Sequence, residues 1–340
     1  MGRFKSRDLR MNSEAAGQDD FRPTASLQNL RLRAELLRQV RDFFDRRGFL
    51  EVETPILSAD TVVDRHLDPF STDSPGAPNE PTRRLWLQTS PEFAMKRLLA
   101  AGADAIYQIT RAFRLGELGP LHNPEFTMVE WYRAGDRMDE GMQLAGELCE
   151  ATLNRGTAER IGYREAFLQH VGLDPHVVDA RQLAAKASEH GIRPPASWAE
   201  ADRDGWLDLL LVELVQPRLG VERPVLLYDY PASQAALSRI RDEDPPVAKR
   251  FELYVSGIEL ANGYHELLDP AELRRRNERA NAQRRRDGKT SLPERSRLLA
   301  AMHSGLPACA GVALGFDRLV MLAVGAKNLH EVMAFPFDRA

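Results

Sequence analysis

The sequence predicts an α+β fold, an antiparallel β-sheet flanked by helices, and three observations carry that expectation. Strand-like runs Ile106 to Phe113 and Phe126 to Tyr132 flank a turn-rich loop, as a hairpin with a long connection would. A second strand-rich block lies between Val225 and Leu260, beyond a stretch patterned mostly as helix. An amphipathic helix opens the chain and an apolar one closes it, and each needs a partner face. The 340 residues, 43% of them hydrophobic, can bury a substantial core, and length alone allows one large domain or two ordinary ones.

Residues 1–24 are rich in charge and small polar side chains and lack the apolar core of a signal peptide, so they read as a disordered leader. From Asn29 to Arg47, Leu36, Leu37, Val40, Phe43 and Phe44 recur at helical spacing between arginines, and Gly48 stops the helix. Alternation from Phe49 to Thr54 gives a strand that Pro55 ends or confines to an edge. Pro, Ser, Gly and Asn crowd Asp68 to Thr82, a loop. Arg84 to Thr89 is a short strand. Ser90-Pro91-Glu92 then opens a helix to about Ala101, with Ser at the cap, Pro in the first turn and an acid near the positive end. The hairpin follows, its connection holding Gly116, Gly119, Pro120, Asn123 and Pro124. Residues from about 140 to 220 are mostly helical in pattern, and Val225 to Tyr230, Arg250 to Ser256 and Ile258 to Leu260 are strands. Arg274 to Arg286 is an arginine-dense helix, and a strand at Val312 to Leu314 leads into an apolar helix, Phe316 to Val324.

A formal net charge of −4 lacks the electrostatic footprint of a protein that holds many phosphates, which weighs against tRNA as a main partner. Cys149 and Cys309 are far apart with no CxxC spacing, so neither a disulfide framework nor a zinc site is expected. The longest apolar run, Leu207 to Val215, is short and broken by Asp208 and Glu213, well below the roughly 18 residues of a membrane span. A cytoplasmic protein without a membrane partner is the expectation.

The first hairpin and its connection carry Arg114, Glu117, His122, Glu125, Glu130 and Arg133, and Glu252, Glu259, Glu266 and Arg318 fall on later elements that can share its sheet. Taken singly, charged strand residues usually face solvent. Tyr132 reads equally as a core aromatic, Glu266 as a cap or surface acid, Gly315 as an ordinary turn. The arginines of 274–286 read as a solvated helix face or a patch for an acidic protein.

Four stretches, taken together and in order, change that balance. They are Gly48 to Pro55; Phe113-Arg114 followed by His122-Asn123-Pro124-Glu125-Phe126-Thr127-Met128-Val129-Glu130-Trp131-Tyr132; Gly257 to Leu267, reading GIELANGYHEL; and Gly311 to Val320, reading GVALGFDRLV. They resemble the signature motifs of class II aminoacyl-tRNA synthetases, specifically the lysyl branch, across Leu30 to Ala340. The resemblance implies one catalytic domain over residues 25–340 with a helical insertion at about 140–220. It further implies a six- or seven-stranded antiparallel sheet, a homodimer joined through the Glu51 to Pro55 motif, and an ATP site with Mg²⁺ on the sheet.

It also implies roles. Arg114 and Arg318 are the catalytic residues: a planar fork at Arg114 can stabilise charge on the α-phosphate, and Arg318 can stack on adenine or reach the terminal phosphate. Phe126 offers adenine an aromatic face, with Glu117, His122, Asn123, Glu259, Leu260 and Gly315 completing the ATP site. Glu252 and Glu259 match the family's Mg²⁺-phosphate carboxylates. For the amino acid, Glu92 with Ser90 and Pro91 serves an amino group, Glu130, Tyr132 and Glu266 surround a side-chain ammonium, and Asn262, Tyr264 and Ala313 line the rest. A buried cation must be paired, so a lysine-like substrate needs such carboxylates.

Departures from the synthetases narrow the resemblance. Only about thirty mostly polar residues precede the first helix, too few for an anticodon-binding domain. Leu115 and Gly116 separate Arg114 from Glu117 where the synthetases carry Arg-x-Glu, Leu121 stands at a usual arginine, and Ala261 and Ala313 replace common glycines. The lack of room for an anticodon-binding domain, with the stretches His122 to Tyr132, Ile258 to Leu267 and the closing Phe335 to Ala340, resembles the truncated paralogue family that attaches (R)-β-lysine to a lysine of translation elongation factor P. That family's acceptor is a protein, and its activated intermediate an aminoacyl-adenylate.

Overall fold

The computed structural model describes residues 21–75, 81–194 and 202–340. Most of the expected leader lies outside the described residues. Its last residue is tied down, the Thr24 amide donating to the Ala334 carbonyl, and the Ala25 amide just beyond it donates to the Met333 carbonyl.

Helix α1 (Leu27–Asp45) leads to the short strands β1 (Leu50–Glu51), β2 (Leu57–Ser58), β3 (Ser71–Ser74) and β4 (Arg83–Leu87). Next come α2 (Glu92–Ala100), the hairpin β5 (Ala105–Phe113) and β6 (Glu125–Ala134), and α3 (Met138–Leu153). Strand β7 (Glu159–Gly162), helices α4 (Tyr163–His170), α5 (Ala180–Glu189) and α6 (Arg203–Leu210), and strand β8 (Val225–Pro231) form the middle of the chain. Then follow β9 (Ile240–Arg241), β10 (Val247–Val255), β11 (Ile258–His265), α7 (Pro270–Arg286), α8 (Arg297–Gly305), β12 (Cys309–Gly315) and α9 (Phe316–Val324).

Nine strands form the main sheet in the order β1-β5-β6-β12-β11-β10-β8-β7, with β9 on β10. The six from β5 to β8 pair antiparallel, as the resemblance implies, while β1 on β5 and β7 on β8 are parallel at the two ends. Strand alternation gives this sheet two chemistries. Val129, Trp131, Phe251, Leu253, Val312 and Leu314 point to one face and pack with α1, α3 and α9 in the main core cluster. Their neighbours Glu130, Tyr132, Glu252, Gly311 and Ala313 point to the other.

The stretch expected as one helical insertion divides. Helix α3 sends Met142, Ala145 and Leu148 into the main cluster, whereas α4, α5 and α6 form a second one with Tyr230, Ala248 and Tyr254 of β8 and β10. A third cluster joins α2 and α8 to Ile106 and Tyr132 on the chemical face. The expected loop at 68–82 contains β3, a polar edge strand held to β4 by backbone pairing and the Arg84–Asp73 ion pair, so no hydrophobic alternation marks it; its residues 76–80 lie outside the described ones.

Candidate active site

The polar face of β6, β11 and β12 floors a cavity of about 660 Å³, walled by the segment 62–67, by α2 and by α7. Every predicted site residue borders it except Pro91 and Glu252. Pro91 occupies the N-cap position of α2, displacing Ser90 from the cap it was expected to make. The Ser90 hydroxyl instead accepts from the Glu92 amide at 3.0 Å and donates to Glu130 Oε2 at 2.7 Å.

One end of the cavity is acidic. Glu130 and Glu266, each only 1% exposed, stand with Glu92 around it. The Tyr132 hydroxyl donates to Glu130 Oε1 at 2.6 Å. Burial, reinforced by Glu92, pushes the Glu130 carboxyl up to about 7. Glu266 is raised by the same burial, against the opposing pull of Lys96. Lys96, absent from the sequence reading, sits 2% exposed behind this wall, with Nζ on Glu92 Oε1 and 2.5 Å from Glu266 Oε2. Burial disfavours its charge, but the two carboxylates more than offset that and hold the ammonium protonated.

Gly311 is the second residue that sequence reasoning passed over. It pairs with Tyr132 on one side and Tyr264 on the other, and an added Cβ would sit 2.5 Å from Tyr132 Cδ1 and closer still to Tyr132 Cε1 and Glu266 Oε1. A strand glycine where other groups approach closely is the signal that could have found it. Ala313 stands between Glu130 and Asn262 in register, with its methyl on the cavity side, while Ala261 packs into the main core.

The other end is built from arginines. Arg114, just past β5, lies 5.0 Å from the Phe126 ring centroid, donates to the Thr89 carbonyl at 3.3 Å and pairs with Glu117 at 3.7 Å, so Glu117 reaches the site despite its shifted spacing. Arg318, on the first turn of α9, donates to the carbonyls of Leu121 at 3.2 Å and Glu259 at 2.7 Å. Its Nη2 lies 2.8 Å from His122 Nε2. A guanidinium only donates, so Nε2 accepts and the imidazole is neutral with its proton on Nδ1; burial and the adjacent Arg318 lower the His122 pKa in agreement. Asp317 fixes the helix start, accepting from the Thr127 amide at 2.7 Å and pairing with Arg33 at 2.6 Å. Asn123 spends both ends of its amide inside the protein, on the Glu125 carbonyl at 2.6 Å and the Phe337 amide at 2.9 Å, so it braces the loop. Leu260 borders the cavity from the core cluster, and a Cβ on Gly315 would meet nothing nearer than Arg318 at 3.7 Å, leaving space above that turn open.

The two predicted metal carboxylates differ. Glu259 faces the cavity and forms a 3.7 Å ion pair with Arg318; burial and Glu252 raise its pKa. Glu252 is filled from four sides: Arg250 at 2.6 Å and Asn262 at 3.0 Å on Oε1, Tyr230 at 2.5 Å and Tyr254 on Oε2. In this arrangement Glu252 presents no lone pair to a cation, whereas Glu259 does. Among the described residues no cluster of three or more His, Cys, Asp or Glu has metal-holding geometry, although magnesium bound chiefly by substrate phosphates and water needs only one or two carboxylates. Asn262 Oδ1, its orientation fixed by the bond to Glu252, is buried with no partner and is left to accept from a bound donor.

An antiparallel sheet with an acidic pocket at one end of its open face and paired arginines at the other is the architecture of a class II aminoacylating ligase. The family model of class II tRNA synthetases (D, K and N) matches residues 19–339, and the chain belongs to that family. Similar proteins named elongation factor P–(R)-β-lysine ligase come from Vibrio cholerae serotype O1, 50% identical over 94% of this chain and 99% of that protein, and from Vibrio vulnificus, 49% identical over 95% and 100%. A third, from Pasteurella multocida, is 45% identical over 95% and 99%. At this identity and coverage the chain is an enzyme of that ligase family. No helix among the described residues is long and apolar enough to cross a membrane.

Proposed function

We propose that this enzyme uses ATP to activate (R)-β-lysine as an aminoacyl-adenylate and transfers the acyl group to a lysine side chain of elongation factor P. The observation that carries the substrate class is the convergence of Glu92, Glu130 and Glu266 at one end of a cavity whose other end holds Arg114 and Arg318. Carboxylates suit ammonium groups and arginines suit phosphates, so the substrate carboxylate falls between them, toward the α-phosphate.

In the first step a carboxylate oxygen attacks the α-phosphorus in line, and the bond to the bridging oxygen of pyrophosphate breaks. Arg114 stabilises the charge on the α-phosphate, while Arg318, held by His122 and Glu259, faces the leaving group. In the second step the acceptor amine attacks the acyl carbonyl, AMP leaves and the amine loses its proton, giving an amide. No enzyme nucleophile is required, so rate comes from positioning and charge stabilisation. Magnesium held in part by Glu259 would neutralise the pyrophosphate. The acceptor rests on the relatives' names. The reading extends to a cytoplasmic homodimer: Leu50, Ile56 and Leu57 are 62%, 40% and 40% exposed around the edge strand β1, an apolar surface suited to a second copy.

Pyrophosphate exchange with ATP and Mg²⁺, comparing (R)-β-lysine with α-lysine, followed by mass spectrometry of added elongation factor P, tests the reading. A preference for the β-isomer with a stable one-acyl mass gain on the factor is expected. Adenylation without a mass gain would reject the acceptor, and no exchange with either isomer would reject the substrate.

A further inference from the structure

Lys96 lies beneath the acidic end of the site without bordering the cavity. It follows Glu92 by one turn of α2, and its ammonium bridges that carboxylate to Glu266, at the end of β11. A lysine with only 2% of its surface exposed gives up hydration that nothing but fixed anions can replace.

We propose that Lys96 is a positioning residue for the amino-acid substrate, an internal counter-ion that offsets the charge of Glu92 and Glu266 and aims both at the substrate's ammonium groups. The charge count supports this and rests on the diamino-acid reading above. With the diamino acid bound and all three carboxyls deprotonated, they stand against one lysine and leave the pocket at −2. A lysine isomer carries two ammonium groups, and once its carboxylate is joined to AMP as a mixed anhydride those two are the acyl group's only charges, so pocket and bound acyl group balance. Without Lys96, three carboxyls would crowd one buried site with no internal cation, and their deprotonation would move to higher pH.

The groups around this ion pair come from four sides. Helix α2 supplies Glu92, and β6 supplies Glu130 and Tyr132. Strand β11 with its end supplies Tyr264 and Glu266, and β12 the Cys309 thiol. Arg239 donates to the Glu266 carbonyl, and α8 covers α2 with Leu298, Leu299 and Met302. Lys96 is the cation that both carboxylates share.

The test is (R)-β-lysine-dependent pyrophosphate exchange by wild type, Lys96→Met and Lys96→Arg from pH 6 to 9, with a thermal melt of each. Lys96→Met is expected to lower kcat/KM at pH 7 by about ten-fold or more, mostly through KM. It should also move the rising limb of the pH profile alkaline by about one unit, the size of effect expected from removing an adjacent opposite charge. Lys96→Arg keeps the charge in a bulkier head, so KM rises while the limb stays at its wild-type position. A Met variant that is folded and weakened but keeps the wild-type limb overturns the proposal and leaves Lys96 a packing residue. If the Met variant does not fold, an Arg variant with an alkaline-shifted limb overturns it. Absence of exchange in wild type is separate and refutes the diamino-acid reading itself.

Discussion

Replacing Gly311 with alanine adds one methyl at the point where three strands meet beneath the amino-acid pocket. Its Cβ would stand 2.5 Å from Tyr132 Cδ1 and would overlap Tyr132 Cε1 and Glu266 Oε1. Neither neighbour moves freely. Tyr132 is 3% exposed and bonded to Glu130 at 2.6 Å, and Glu266 is pinned to Lys96 at 2.5 Å. Overpacking a well-filled site costs about 1 to 3 kcal/mol. Here the strain falls on the two groups that face the substrate's ammonium, so the cost appears in binding, as a rise of roughly 5- to 150-fold in KM for (R)-β-lysine. The arginine end is remote from this clash, and KM for ATP should hold within about two-fold, far below the tenfold that 1.4 kcal/mol represents. Pyrophosphate exchange with each substrate varied in turn separates the two constants. A Gly311→Ala enzyme with unchanged KM for (R)-β-lysine would refute the reasoning, as would one in which only ATP binding suffers.

Three further outcomes follow from the same geometry. A carboxyl pushed up to about 7, as Glu130 is, stays neutral below that pH and must lose its proton before pairing with an ammonium, so affinity for the diamino acid should rise from pH 6 to 8. The slope approaches tenfold per pH unit for each proton released, and calorimetry in buffers of different ionisation enthalpy would count those protons; flat affinity would reject the assignment. Arg114→Ala removes the fork on the α-phosphate and should cut kcat for adenylation by about 10²- to 10³-fold with little change in KM for the amino acid, measured by single-turnover pyrophosphate release. Ala313→Gly empties a methyl beside Glu130 and Asn262 and should shift the ratio of kcat/KM for (R)-β-lysine over α-lysine by about 1 to 3 kcal/mol; an unmoved ratio would show that isomer choice lies elsewhere.

Periodicity made most of the fold legible. Helix α9 was read at its observed bounds, and the hairpin β5–β6 to within two residues, because apolar alternation persists over whole elements. Short elements held by backbone pairing escaped. The two-residue β9, the polar β3 and the edge strand β7 carry too few side chains to show a period, and β1 is only the first part of the strand expected at 49–55. Helix α8 was legible in principle, since Ser296 caps it and Leu298, Leu299 and Met302 share a face. In the site, the motif residues were found where their strands display them. Lys96 was not, because a lysine in an amphipathic helix ordinarily reads as exposed; only its spacing of four from Glu92 hinted at a pair. Glu252 shows the converse. Its distance of seven residues from Glu259 suggested a shared cation, and the fold instead surrounds it with Arg250, Asn262, Tyr230 and Tyr254.

The order of residues along the three central strands gives the site its direction. On β6, Phe126 lies at the arginine end, Glu130 and Tyr132 at the acidic end, on the same face by strand alternation. Antiparallel β12 runs the other way, so Gly311 pairs with Tyr132 and Gly315 with Met128, next to Arg318 on α9. Strand β11 returns parallel to β6, carrying Glu259 at the arginine end and reaching Glu266 at the acidic end. At roughly 3.3 Å per residue, Phe126 to Tyr132 spans on the order of 20 Å, enough to hold a nucleotide and an extended amino acid end to end. A one-residue slip of β12 would turn Gly311, Ala313 and Gly315 to the core and bring Val312 and Leu314 into the pocket. The packing of Val312 and Leu314 against α1, α3 and α9 is therefore what fixes the polarity of the cavity, and the hydrophobic core specifies the site as directly as the charged residues that line it.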